Sequence, residues 1–393
     1  MEQVSLQTHG NSEKAPLDRL IEEHFSPEQL KRGLVATDMD GTMFKNDLGL
    51  LVFVESLCEP RFWHYGPKKM KKLLIPPAYE ELLVKGSNGE TPDLPMEECK
   101  KALVLREDII LLYEVYCSLS RKGKKPMEKR PVVIEFARKM IELDRLIMGL
   151  EPHWRSHFNG QLLMRTRFFS ANKKKSIDRL IRTTLARNDM DDPNRFLALR
   201  TFPKHQESLG QSMELKDLDP IDRVIQVRKE IEMILRTFHI EHGLRTVVVT
   251  TNFDQIAKEV TQNEPYDFLK TEKRRNVKGT IVKTHESKPK RNRCEPKEYY
   301  TSRLLNVPPL GEEKRCIAQE AARRRQRILL VACGDSLAGD GAMGLQAMEN
   351  GGVFIVAGDK YDETRAKFEP LSVEAVQKGV KDAANKIWYA ISE

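Results

Sequence analysis

No two cysteines in this chain are spaced as CxxC. The six present, Cys58, Cys99, Cys117, Cys294, Cys316 and Cys333, are scattered. That pattern leaves structural zinc unsupported and favours reduced, partly buried thiols. No apolar run approaches the length of a membrane span, so no integral membrane segment is expected. Residues 1–30 are polar and charged and lack an apolar h-region, which argues against a secretory signal peptide. The expected location is therefore cytoplasmic, with export by a machine that reads other signals left open. RNP, zinc-finger and KH signatures are missing too, so nucleic acid is not the expected partner.

What is present is a chain of 393 residues, 40% hydrophobic and 32% charged. That is enough for two domains, or for one domain with a large insert. The formal net charge of +8 suits an anionic substrate, nucleic acid or an acidic membrane surface, and selects none of them.

The chemistry concentrates where apolar runs end. Leu34-Val35-Ala36 leads into Asp38-Met39-Asp40-Gly41-Thr42. Residues i and i+2 on a strand face the same side, and Gly41 allows close backbone approach. One carboxylate can attack as a nucleophile while the other moves protons. An Asp-rich turn is the ordinary alternative. Further along, Ile328-Leu329-Leu330-Val331-Ala332 reads as a buried parallel strand and ends in Gly334-Asp335-Ser336-Leu337-Ala338-Gly339-Asp340-Gly341. Val247-Val248-Val249 ends in Thr250-Thr251-Asn252, and Gly311-Glu312-Glu313-Lys314 opens a helix before the Asp335 strand. In open α/β sheets, ligands sit outside the carboxyl ends of the strands. These segments therefore bring acids, a hydroxyl and a lysine to one crevice. A phosphate dianion beside Asp38 and Asp335 requires a cation, and Mg²⁺ accepts a few carboxylates plus substrate oxygens and water.

In motif order the chain resembles the haloacid-dehalogenase (HAD) superfamily of phosphotransferases: DxDGT, a hydrophobic strand ending in Thr, a lysine, then GDxxxxD. The surroundings of Thr250 look like the phosphoserine-phosphatase branch, which places a large insert between its first and second motifs. The resemblance covers residues 33–44, 244–260 and 311–357. It implies a doubly wound, Rossmann-like parallel α/β core with a large, mainly helical cap inserted after the first strand. It also implies a Mg²⁺-dependent phosphatase. Asp38 would be the nucleophile that forms an aspartyl-phosphate, and Asp40 the general acid and then base. The metal would be held by Asp38, the backbone carbonyl of Asp40, and Asp335, with Asp340 orienting a bound water or Lys314. Thr250, the amides of Thr251 and Asn252 at a helix start, and Lys314 would bind the substrate phosphate. Lys283, Lys288 and Lys290 are rival lysines. The expected partner is an anionic phosphorylated substrate, a small molecule first, with phospholipid or phosphopeptide as alternatives. A phosphomutase or other phosphotransferase is the nearest competing function, and a binding protein acting through its cap is a more distant one.

The implied organisation is a leader and helix over 1–32, core over 33–44 and 241–393 with a small insert near 265–310, and a helical cap over 45–240. Within it, a first helix is expected near Leu17 to Phe25. Breaks are expected at Gly66-Pro67, Pro76-Pro77, Gly86 to Pro95, Pro152 and Pro203. A helix from the N-cap Asp219 through Pro220, Val224, Val227 and Ile231 to Phe238 should stop at Gly243. Lys278 to Val282 reads as one strand of a small hairpin, Val353 to Val356 as a strand, and Leu371 to Ser392 as a closing helix. His153 and His157 have i, i+4 spacing, but Pro152 and the lack of a nearby third ligand argue against metal. Lys68 to Lys72 and Lys173 to Lys175 read as solvated faces.

Overall fold

The computed structural model describes residues 14–45, 47–58, 65–75, 77–122, 126–158, 172–186, 226–263, 265–270, 276–287, 297–305 and 309–391. In chain order these form α1 (Lys14–His24), α2 (Pro27–Arg32), β1 (Gly33–Thr37), α3 (Leu48–Cys58), α4 (Pro67–Leu74), α5 (Pro77–Ser87), α6 (Met96–Arg121), α7 (Pro126–Phe158) and α8 (Lys174–Ala186). Then come α9 (Lys229–Arg236), β2 (Arg245–Phe253), α10 (Asp254–Val260), β3 (Val277–Thr280), β4 (Val282–Ser287) and β5 (Lys297–Leu304). The chain closes with α11 (Glu312–Arg324), β6 (Ile328–Gly334), α12 (Leu337–Glu349), β7 (Val353–Gly358), α13 (Tyr361–Gln377) and β8 (Ile387–Ile391).

The fold is α/β. Six strands in the order β3-β2-β1-β6-β7-β8 make one sheet, and every neighbouring pair is parallel. Both faces are covered, which is why β1 is buried at every residue and reads as an apolar run. Alternate residues serve opposite faces. Leu34 and Ala36 pack with Val247, Val249 and the alanines of α11, whereas Val35 packs with Leu17, Phe238 and the helices that follow β1. The chain proceeds outward through β2 and β3 on one side and β6, β7 and β8 on the other. The order reverses between β1 and β6, and in open α/β sheets ligands sit outside the strand ends at such a point.

Between β1 and β2 the described chain is helical, from α3 to α9. Phe53, Leu83, Tyr113, Phe136 and Ile181 join the same hydrophobic cluster as Val35 and Val331, so these helices share the core of one sheet face. The chain leaves and re-enters the sheet region through two segments that pair with each other. Lys45 N donates to Gln226 O (2.8 Å) and Arg228 N donates to Met43 O (3.0 Å).

Several expectations are corrected. Val227 lies in an antiparallel bridge with Phe44, and the helix begins only at Lys229. Pairing with residues 43–45 satisfies its neighbours' backbone groups, so a helical turn there has nothing to add. Asp219, Pro220 and Val224 lie outside the described residues, as do Pro203, Lys288, Lys290 and the side chains of Lys283, His153 and His157. The helix α7 runs through Pro152 to Phe158, where losing one N–H bond near its end does not stop it. The segment Lys278 to Val282 divides: Val277–Thr280 is the parallel edge strand beside β2, and the antiparallel hairpin starts at Val282. Leu371 to Ser392 is not one helix. It stops at Gln377, Gly379 takes φ +80°, and Ile387-Trp388-Tyr389-Ala390-Ile391 pairs parallel with β7. β-Branched and aromatic residues suit that edge. Among the described residues no helix is long and apolar enough to cross a membrane.

Candidate functional site

Asp38 follows the last residue of β1. Its amide donates to Cys333 O on β6 (3.0 Å), which carries the parallel ladder one residue past the strand and fixes the carboxylate at the sheet edge. The chain then turns: Met43 N donates to Met39 O (2.9 Å), and Gly41 takes φ +77°. A Cβ on Gly41 would lie 2.2 Å from Asp335 Oδ2, so only glycine fits between the turn and that acid.

The loop from β6 to α12 supplies Asp335 and Asp340. Thr42 Oγ1 donates to Asp335 Oδ1 (3.1 Å). Asp340 is wholly buried, and its Oδ2 accepts the amides of Asp335 (3.2 Å) and Ser336 (3.1 Å), which shapes the loop. Its Oδ1 accepts from Lys314 Nζ at 2.7 Å, and the same ammonium lies 2.8 Å from Asp38 Oδ2. Lys314 reaches there from the first turn of α11 and is 1% exposed. Ligand oxygens of Asp38, Asp335 and Asp340 lie within 4.8 Å of one another.

One ammonium does not balance this many acids. Burial raises the Asp38 carboxyl well above its ordinary range; Lys314 opposes this, and Asp340, Asp335 and Asp40 add to it. Burial and then Asp340 push Asp335 up to about 6, against Lys314, Lys367 and the Thr42 hydroxyl. Burial works to lower the pKa of Lys314, but the charges and hydrogen bonds of Asp340 and Asp38 together hold it above the usual lysine range. A hard divalent cation fits a donor set of buried carboxylates short of positive charge.

Asp40 lies one step outward. Its Oδ1 accepts from the amide of Leu48, the first residue of α3 (2.8 Å), and its Oδ2 accepts from Asn252 Nδ2 (2.7 Å). Thr250 is buried within β2. Its Oγ1 lies 3.5 Å from Asp40 Oδ2 and accepts the Asn252 amide at 3.1 Å. Thr251 turns elsewhere, its hydroxyl donating to Pro309 O (2.6 Å). The expected helix start at Thr251 and Asn252 is corrected. Pairing of Phe253 with Thr280 on β3 keeps β2 extended to Phe253, and α10 begins at Asp254. The Asn252 amide therefore serves Thr250, and its side chain serves Asp40.

Sequence reasoning missed the side chain of Asn252 and also Arg228. The Arg228 guanidinium donates to Gly41 O (2.7 Å), Gly358 O (3.1 Å) and Asp359 Oδ1 (2.9 Å), tying the turn after Asp40 to the end of β7. No local pattern marks an arginine for such a clamp. Asp47 did carry a signal, an acid before the apolar run of α3, and it caps that helix by accepting from Leu50 N (3.0 Å).

No family model matches this sequence, and no curated protein matches it. In fold the chain is similar to a conserved protein of unknown function from Anaerococcus prevotii DSM 20548. The match has a TM-score of 0.55 and 13% sequence identity, and covers 92% of this chain and 89% of that one.

Proposed function

We propose that this chain is a Mg²⁺-dependent phosphatase of the HAD superfamily, with α3 to α8 as its cap. It would hydrolyse a phosphomonoester through an aspartyl-phosphate on Asp38. One observation carries the reading: Lys314 is held between Asp38 and Asp340 inside a cluster of acids at the reversal point of a parallel sheet. A structural ion pair has no need of a third acid, Asp335, left short of positive charge beside the strand ends.

Asp38 and Asp335 would hold the metal, with the carbonyl of Asp40. Mg²⁺, when bound, supplies the charge that lets these acids and a phosphoryl group share one pocket. A carboxylate oxygen of Asp38 attacks phosphorus while the bond to the leaving oxygen breaks, and Asp40 gives that oxygen its proton. Asp40 then takes a proton from water, whose oxygen displaces Asp38 and releases phosphate. Lys314 holds the attacking carboxylate in place and offsets charge in a site already arranged before the reaction. Asp340 orients Lys314, and Thr250 offers its hydroxyl beside Asp40.

Phosphate release from an aryl phosphate, measured with Mg²⁺ and with EDTA, tests the reading. Activity should require Mg²⁺. Asp38→Asn should lose on the order of 10⁴-fold or more in turnover, together with a hydroxylamine-sensitive phosphoenzyme. Equal rates in EDTA overturn the metal, and an active Asp38→Asn protein overturns the nucleophile. Product that appears only with an added alcohol acceptor points instead to a phosphotransferase.

A further inference from the structure

We propose that Asn252 is the positioning residue of the proton-transfer step, acting through the carboxyl group of Asp40; the inference rests on the phosphatase reading above. Asp40 sits where two parts of the molecule meet. Its Oδ1 takes the first amide of α3, on the helical side, and its Oδ2 takes Asn252 Nδ2, on the sheet side. An N–H to each oxygen fixes the plane of a carboxyl group, and it is in that plane that a proton is held or received. Asn252 is itself held on three sides. Its amide donates to Thr250 Oγ1 (3.1 Å), its Nδ2 also reaches Asp47 Oδ1 (3.3 Å), and its side chain fills the space over Gly49. A Cβ on Gly49 would lie 1.9 Å from Asn252 Oδ1, so the absence of a side chain in the first turn of α3 is what admits the amide.

The arrangement has a directional consequence. A neutral amide donates to Asp40 without adding charge, so it fixes the direction of the carboxyl while leaving it able to exchange a proton. If Asn252 is lost, a 2.7 Å tie of Asp40 to β2 goes with it, and the Thr250 hydroxyl at 3.5 Å is a longer one. The carboxyl is then held less firmly on the sheet side. Asn252 touches neither phosphorus nor the leaving oxygen in this scheme, so the chemistry of Asp38 is untouched.

Leaving groups of different basicity separate these steps. Breaking the bond to an aryl oxygen needs little help from an acid; breaking the bond to an alkyl oxygen needs it; hydrolysis of the phosphoenzyme needs a base in both cases. For Asn252→Leu, kcat/KM on an alkyl phosphate should fall about 10²-fold. On an aryl phosphate kcat and KM should fall together, leaving kcat/KM near its original value, and rapid quenching should trap accumulated phosphoenzyme. Gly49→Ala leaves Asp40 and Asn252 intact but invades the space of the amide, and should show the same split more weakly. It also guards against a folding defect specific to Asn252→Leu. Equal losses of kcat/KM on both substrates, or no loss on either, overturn the assignment of Asn252. An unaltered protein inactive on both substrates overturns the phosphatase reading itself.

Discussion

The inner and outer halves of the site are built differently. The inner half, Asp38, Lys314, Asp335 and Asp340, comes wholly from β1, β6 and the loops and helices between the strands of the sheet, and it sets charge against charge. The outer half, Asp40, Asn252, Asp47, Leu48 and Gly49, straddles β2 and α3, and there a carboxylate meets neutral N–H donors. Electrostatic strength in the inner half depends on burial, which the sheet guarantees. Orientation in the outer half depends on how α3 sits against β2. On the proposed reading, attack and proton transfer fall to parts of the molecule that substitution can disturb separately, with Arg228 holding the turn between Asp38 and Asp335 through Gly41.

The largest break is Lys314→Met. Turnover should drop about 10²–10³-fold. Removing one partner from a buried ion cluster also strands Asp38 and Asp340, so the variant should lose about 3–5 kcal/mol of stability in EDTA (urea unfolding reads it). Adding Asp340→Asn should recover part of the stability and none of the activity. Lys288→Met should be mild in both. A silent Lys314→Met beside a damaging Lys288→Met would move the catalytic lysine to the second insert.

A smaller effect sharpens the inner half. With Asp335 raised to about 6, the folded protein binds more protons than the unfolded chain between about pH 4 and pH 6. The contribution of Asp335 is present in full below pH 4 and is lost as pH rises through 6, by at most about 3 kcal/mol. In EDTA the stability of the unaltered protein relative to Asp335→Asn should therefore fall across that window. Mg²⁺ should restore it above pH 6 by binding the folded state. A difference that grows with pH would mean that Asp335 is a stabilised carboxylate and needs no cation.

How much of this was legible in the sequence depended on burial and distance along the chain. β1, β2, β6 and β7 are covered on both faces and read as apolar runs. The edge strands were misassigned. β3 is four residues including Lys278 and Gly279, and its strand signal was joined to that of β4 as one hairpin strand; β8 follows a helix whose apolar spacing runs on into it, although Gly379 marks the stop. The acids were legible because they cluster with glycine where apolar runs end, Asp40, Asp335 and Asp340 directly beside one and Asp38 two residues before Asp40, and Lys314 because it begins a helix where acids are usual. Thr251 was misassigned because nothing local says that β3 keeps β2 extended. The Asn252 side chain was illegible for a plainer reason: its partner Asp40 lies 212 residues away.

The smallest expected effect tests whether the helical region reaches beyond Asp40 to the substrate. α8 packs against α3, which follows the turn bearing Asp40, and α10, which follows the strand bearing Asn252. At its start Lys173 and Lys175 are exposed, and Lys174 pairs with Asp178 (3.8 Å). Replacing all three by Ser removes surface charge and no packing, so stability should stay within about 0.5 kcal/mol. For a substrate carrying a second anionic group, kcat/KM should fall several-fold at low salt, and for a small aryl phosphate much less. The gap should close at high ionic strength, because exposed charges are screened there. Equal changes on both substrates would leave these lysines as a solvated face, and would leave the influence of the helices with contacts such as that of Leu48 on Asp40.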